Sequence, residues 1–156
     1  MDTFRAEVKR LVGENGAVKP ETPAASNEEV IWDFLFGKGL NAYSVAGIMG
    51  NLYAESALKP NNLQNSYEKS LGFTDTTYTA AVDNGSYTNF AKDGAGYGLV
   101  QWTFHTRKQA LLDFARAAGT SIGDLSMQLG FLWLRTIPTS CGIYSTSRRR
   151  FRADTR

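Results

Sequence analysis

Asn41-Ala42-Tyr43-Ser44-Val45-Ala46-Gly47-Ile48-Met49-Gly50-Asn51-Leu52-Tyr53-Ala54-Glu55-Ser56 places Val45, Ile48, Met49, Leu52 and Tyr53 at i, i+3, i+4, i+7 and i+8. That spacing puts five apolar side chains on one face of a 3.6-residue period and predicts a helix from about Asn41 to Ser56. On its amino-terminal side, Ser26 and Glu29 form a capping box ahead of Val30, Ile31, Phe34 and Leu35, and Gly37 and Gly39 end that first helix. On its carboxyl side, from Lys59 to Gly98, the periodicity is lost. Pro60, Asn61, Asn62, Asp83-Asn84-Gly85 and Asp93-Gly94 punctuate short Thr- and Tyr-rich pieces there, which predicts loops and one or two short hairpins.

Helical pattern returns over residues 106–118, with Ala110, Leu111, Phe114 and Ala115 on one side and Gly119 as the stop. Asp124 can cap a fourth helix that carries Leu125, Leu129, Leu132 and Trp133 until Pro138. The expected fold is therefore mostly α, an α+β arrangement with a short β-hairpin or loop region between the second and third core helices. Before this domain, Phe4, Val8 and Leu11 pattern one short helix, and residues 13–26 are rich in Gly, Pro and small residues. Residues 1–26 are read as the end of a preceding module plus a linker, 27–136 as the folded domain, and 137–156 as an unstructured basic tail.

A chain of 156 residues, 42% hydrophobic and 12% aromatic, can build one core of ordinary size. No apolar run reaches the roughly 20 residues a membrane-spanning helix needs, and Met1-Asp2-Thr3-Phe4-Arg5 lacks the charged and apolar segments of a secretion signal. The one cysteine, Cys141, cannot form an internal disulfide, and the one histidine, His105, cannot anchor a zinc site without other strong ligands. Residues 1–136 hold 12 Lys and Arg against 14 Asp and Glu, whereas 137–156 hold five Arg against one Asp. The positive charge thus sits in Arg148, Arg149, Arg150 and Arg152 of the tail, and the body lacks the basic patch of a nucleic-acid reader.

Two places can carry chemistry. Glu55 ends the long helix, where the negative end of the macrodipole and partial burial against Leu52 or Leu58 favour its protonated form. A carboxyl that keeps its proton near neutral pH suits glycosidic cleavage, because the leaving oxygen must be protonated as the bond breaks. The second is Asp93-Gly94-Ala95-Gly96-Tyr97-Gly98-Leu99-Val100-Gln101-Trp102-Thr103. Its alternate glycines let backbone approach a ligand, Tyr97 and Trp102 offer flat faces to sugar rings, and Asp93 could activate water; a hairpin with core aromatics fits the same spacing. It is not a phosphate loop, since neither the G-x-G-x-x-G spacing nor the Lys is present.

The run Ala46 to Ser56 with Leu58-Lys59-Pro60, followed by Gly96-Tyr97-Gly98-Leu99-Val100-Gln101-Trp102-Thr103, resembles the phage tail lysozyme and endolysin family of lysozyme-like domains over about residues 27–134. The resemblance implies a peptidoglycan-degrading glycoside hydrolase, a muramidase cleaving the β-1,4 bond between N-acetylmuramic acid and N-acetylglucosamine. Glu55 takes the role of general acid, as in goose-type lysozymes and lytic transglycosylases. Asp93 matches the aspartate before the Gly-x-Gly turn of goose-type enzymes, and Thr103 stands where those carry a further aspartate, so Asp93 or a nearby acid such as Asp83 is the candidate base. Tyr97, Gln101, Trp102 and Tyr87 line the expected sugar groove. A transglycosylase outcome, in which the sugar's own 6-hydroxyl closes an anhydro ring, and a non-catalytic wall-binding or tail structural module are the alternatives. The resemblance implies no metal or organic cofactor, glycan strands as the partner rather than nucleic acid or membrane, and a monomer. It also implies synthesis in the host cytoplasm without a signal peptide and action at the cell wall.

Overall fold

The computed structural model describes residues 25–136. The expected helix at residues 1–11, the linker before residue 25, Cys141 and the basic tail from residue 137 lie outside the described residues.

Six helices follow one another: α1 (Asn27–Gly37), α2 (Ala42–Ser56), α3 (Asn65–Leu71), α4 (Asp75–Asp83), α5 (His105–Ala118) and α6 (Leu125–Thr136). The four helices expected from periodicity form within a residue or two of their expected starts. Their ends are made by side-chain caps and a left-handed glycine, of which the Ser26–Glu29 box, the Asp124 cap and the Gly119 stop are the anticipated ones. Ser26 and Glu29 close a reciprocal capping box on α1, Asn41 Oδ1 accepts from Ser44 N at 3.0 Å at the start of α2, and Asp124 Oδ1 accepts from Met127 N at 2.7 Å at the start of α6. Gly119 takes the left-handed conformation that stops α5.

The region between Lys59 and Gly98 differs from expectation. No strand forms among the described residues; instead the segment contains α3 and α4, and the only ladder contacts are two isolated antiparallel bridges, Leu63 with Tyr97 and Tyr97 with Trp102. Asp75-Thr76-Thr77-Tyr78-Thr79 has the composition of a strand, but Thr74 and Thr77 cap each other's backbone and start a helix. Burial of Tyr78 and Val82 on one face then outweighs the modest β preference of threonine.

Two apolar clusters hold the helices together. α1 packs on α2, and Ile31, Leu35, Val45, Leu52 and Leu58 meet Leu99 and Leu129 in one cluster. The other gathers Tyr78 and Val82 of α4, Leu111 and Phe114 of α5, and Met127 and Phe131 of α6 around Tyr97, Phe90 and Trp102. Val100 and Leu132 pack against both. The loop after α4 thus sends Tyr97 into one cluster and Leu99 into the other. Its course is fixed from both sides.

Candidate active site

The end of α2 and the glycine loop meet in the packing of Leu52 and Leu58 with Leu99 and in a hydrogen bond beside it. Ser56, buried at the last position of α2, donates from Oγ to the Leu99 carbonyl at 3.0 Å, and also to Leu52 O within its own helix. One residue earlier on the helix, Glu55 projects from a different face and is exposed. The partial burial expected for it against Leu52 or Leu58 is absent, because Ala57 and Leu58 turn away. Both adopt left-handed backbone, with φ of 51° and 60°, and this reversal carries Leu58 into the core while its carbonyl accepts from Asn27 Nδ2 at 3.0 Å.

Left-handed backbone at a non-glycine costs about 1–3 kcal/mol per residue and persists only where the surroundings impose it. The described chain has three such residues: Ala57, Leu58 and Gln101, the last with φ of 47°. All three flank the Ser56–Leu99 link. Gln101 lies in a turn closed by Tyr97 and Trp102, which exchange backbone hydrogen bonds of 3.2 and 2.9 Å. Its amide Nε2 donates to Asn62 Oδ1 at 2.9 Å and reaches the carbonyls of Asn62 and Gly98 at 3.2 Å.

The alternate glycines serve the protein itself rather than an approaching ligand. A Cβ on Gly96 would lie 2.7 Å from Gln101 Oε1, and one on Gly98 would lie 2.6 Å from Gln128 Oε1. Gln128 is fully buried; it accepts from Leu99 N at 2.9 Å and donates to the carbonyls of Pro60 and Ile122. One amide thereby fastens three separate loops.

Asp93 sits behind this turn with its side chain only 1% exposed. Lys108 Nζ and Ala95 N donate to Oδ1 at 2.5 and 3.0 Å, and the hydroxyls of Tyr78 and Tyr87 donate to Oδ2 at 2.5 and 3.1 Å. Both carboxylate oxygens are fully occupied. Lys108, itself without solvent exposure, spends its other donors on Ala95 O at 2.7 Å and Tyr78 OH at 3.3 Å, and its ammonium lies 4.6 Å from the Phe90 ring centroid. Burial pulls the Lys108 ammonium below the usual lysine range, while the Asp93 carboxylate opposes that shift. Burial first, then the Asp93 carboxylate, pushes the Tyr87 phenol up to about 12 and raises Tyr78 further.

These contacts change the expected roles. Asp93 was expected as an activator of water, yet its oxygens are enclosed and already bonded. Asp83 and Asp75 each secure a loop, accepting from Ile122 N at 2.9 Å and Leu63 N at 2.8 Å. Tyr97 and Trp102 were expected as sugar-stacking faces; they are 0% and 7% exposed, with Tyr97 packed edge-on against Phe90 and Trp102 against Phe131. The Tyr87 hydroxyl is committed to Asp93 and the Gln101 amide to Asn62. Of the expected site residues, only Glu55 and the alternative acid Asp83 are exposed.

Lys108 and Gln128 escaped the sequence reading. The signal for Lys108 was present: it shares the α5 face with Leu111 and Ala115, three and seven residues on. A lone cation inside an apolar stripe requires a buried counter-charge. No group of three or more His, Cys, Asp or Glu side chains placed to hold a metal occurs among the described residues.

Compared with known proteins, the chain matches a family model described as phage tail lysozyme over residues 26–154. No curated protein and no solved structure matches it.

Proposed function

Because the chain belongs to the phage tail lysozyme family, we propose that it acts as a muramidase, cleaving the β-1,4 bond between N-acetylmuramic acid and N-acetylglucosamine with Glu55 as the general acid. Peptidoglycan is the substrate class that the family membership itself supports. The observation carrying the assignment of Glu55 is the strained corner around it. All three left-handed non-glycine residues of the described chain lie at the end of α2 or on the loop bonded to it, and Glu55 stands exposed there. Strain of this kind concentrates where a fold holds a reacting group in place.

In this reading Glu55 protonates the leaving oxygen as the bond from the anomeric carbon breaks, and the resulting oxocarbenium ion is captured by water. The Ser56–Leu99 hydrogen bond and the Asp93–Lys108 ion pair act as scaffolding that fixes the loop to the end of α2 and to α5. The place of action is the bacterial cell wall, on glycan strands, with the chain working as a monomer and with no metal or organic cofactor.

One observation favours a second outcome. With Asp93 enclosed by Lys108, Tyr78, Tyr87 and Ala95, and Thr103 in place of a second acid, the first candidate base for water is occupied, which leaves only Asp83. A transglycosylase step needs no such base: the muramic acid 6-hydroxyl attacks its own anomeric carbon and passes its proton to the Glu55 carboxylate. Digestion of purified peptidoglycan followed by mass spectrometry separates the outcomes. Hydrated reducing ends support the hydrolase, ends lighter by one water support ring closure, and intact strands refute both.

A further inference from the structure

Resting on the glycan-strand reading above, we propose that Phe104 is a sugar-stacking platform, on which an N-acetylated hexosamine ring lies with its hydroxyls and acetamido group meeting Thr103, His105 and Arg107. The flat faces of Tyr97 and Trp102 are in the core, so stacking on this loop falls to another ring. Phe104 follows directly after the turn and is 61% exposed. Its phenyl ring leans on the His105 imidazole, with centroids 4.6 Å apart and planes tilted by 45°, which leaves a face open.

The position is unfavourable for phenylalanine on local grounds. Phe104 is the N-cap residue of α5, where Ser, Thr, Asp or Asn would bond the free amides of the first turn, and its side chain makes no such bond. An apolar ring in water at a capping position weakens the helix start and leaves the core unchanged. A locally costly choice on a loop that also contains the left-handed Gln101 fits a binding role. The surrounding Thr103, His105, Thr106 and Arg107 are all exposed. An exposed aromatic ring stacked on an imidazole, with exposed hydroxyl and guanidinium residues beside it in sequence, suits a sugar, whose axial C–H groups pack on the ring while its polar groups point outward. A protein partner would call for a broader apolar patch.

The platform is held at both ends. The Phe104 carbonyl accepts from Arg107 N at 2.9 Å and from Lys108 N at 3.0 Å, and Lys108 is the buried lysine locked to Asp93. Five residues earlier, the Leu99 carbonyl is bonded to Ser56, next to Glu55. The ring therefore follows a loop that is hydrogen-bonded to the end of α2, one residue from the candidate acid.

The test measures binding of the β-1,4-linked tetramer of N-acetylglucosamine by calorimetry or NMR, and retention on insoluble peptidoglycan, in a Glu55→Gln background. Phe104→Ala should weaken tetramer binding by about tenfold or more, and Phe104→Trp should restore it. Phe104→Asp supplies the missing cap, so its melting temperature should stay level or rise while binding is lost; a merely structural residue would move both downward. In the active chain, Phe104→Ala should raise KM and leave kcat nearly unchanged. Binding by Phe104→Ala and Phe104→Asp equal to that of Phe104 chains overturns the platform. If Glu55→Gln still cleaves while the Phe104 variants lose the tetramer, the platform stands and the acid assignment falls.

Discussion

Lys108→Met should be among the most damaging single substitutions in this chain. Methionine preserves most of the methylene volume, so little cavity is left, and the loss is electrostatic. The Asp93 carboxylate, 1% exposed, would keep Tyr78, Tyr87 and Ala95 as donors but lose its counter-charge. Removing one partner of a buried pair costs about 3–5 kcal/mol, which at roughly 3 °C per kcal/mol lowers the melting temperature by about 10–15 °C.

The reciprocal variant, Asp93→Asn, separates this reasoning from a general packing defect. There the lone Lys108 ammonium is buried without an anion, and its lowered proton affinity falls further. Between that lowered value and the roughly 10.4 of an unfolded lysine, the unfolded chain binds more protons, so Asp93→Asn regains stability as pH rises. The melting temperature of Asp93→Asn, set against the parent from pH 4 to pH 10, should therefore recover toward alkaline pH. No alkaline recovery in Asp93→Asn, or a loss below about 1 kcal/mol in Lys108→Met, would refute the buried ion pair.

Glu55→Gln removes the transferable proton from an exposed side chain, so peptidoglycan cleavage should fall by about 10² to 10⁴ while the circular dichroism spectrum and melting temperature hold; undiminished clearing of a cell-wall suspension would sink the assignment. Gly98→Ala places a Cβ 2.6 Å from Gln128 Oε1 at a φ of 79° and should cost about 3 kcal/mol. Gly50→Ala, with nothing within 4 Å and a helical backbone, should instead stabilise by about 0.5–1 kcal/mol, and denaturant titration of the two compares them directly. At alkaline pH the fully buried Tyr78 and Tyr97 keep their protons above the roughly 10 at which unfolded tyrosines lose theirs. Their contribution is complete below pH 10 and is then lost at about 1.4 kcal/mol per pH unit each, so tyrosinate absorbance from these two should appear only together with unfolding.

Four helices were legible in the sequence because their information is local. An apolar stripe such as Val45, Ile48, Leu52 needs no knowledge of its partner, and the Ser26, Asn41, Asp124 and Gly119 termini are set by hydrogen bonds spanning a few residues. Glu55 at the end of α2 was legible for the same reason. The helices α3 and α4, seven and nine residues long, are too short to display a period, and threonine-rich composition pointed the other way.

The sequence by itself determined the four long helices and the place of the candidate acid at the end of one of them, since each depends on neighbours within about four residues. Only the tertiary structure decided which side chains of the glycine loop meet solvent. Tyr97 and Trp102 look like ligand faces until Phe90 and Phe131 cover them, and Asp93 looks like a base until Lys108 arrives from fifteen residues away. Gln128 reaches Pro60 across 68 residues to secure the same turn. Burial and ion pairing depend on which distant segments share a core, and a single helical or extended period carries no record of that.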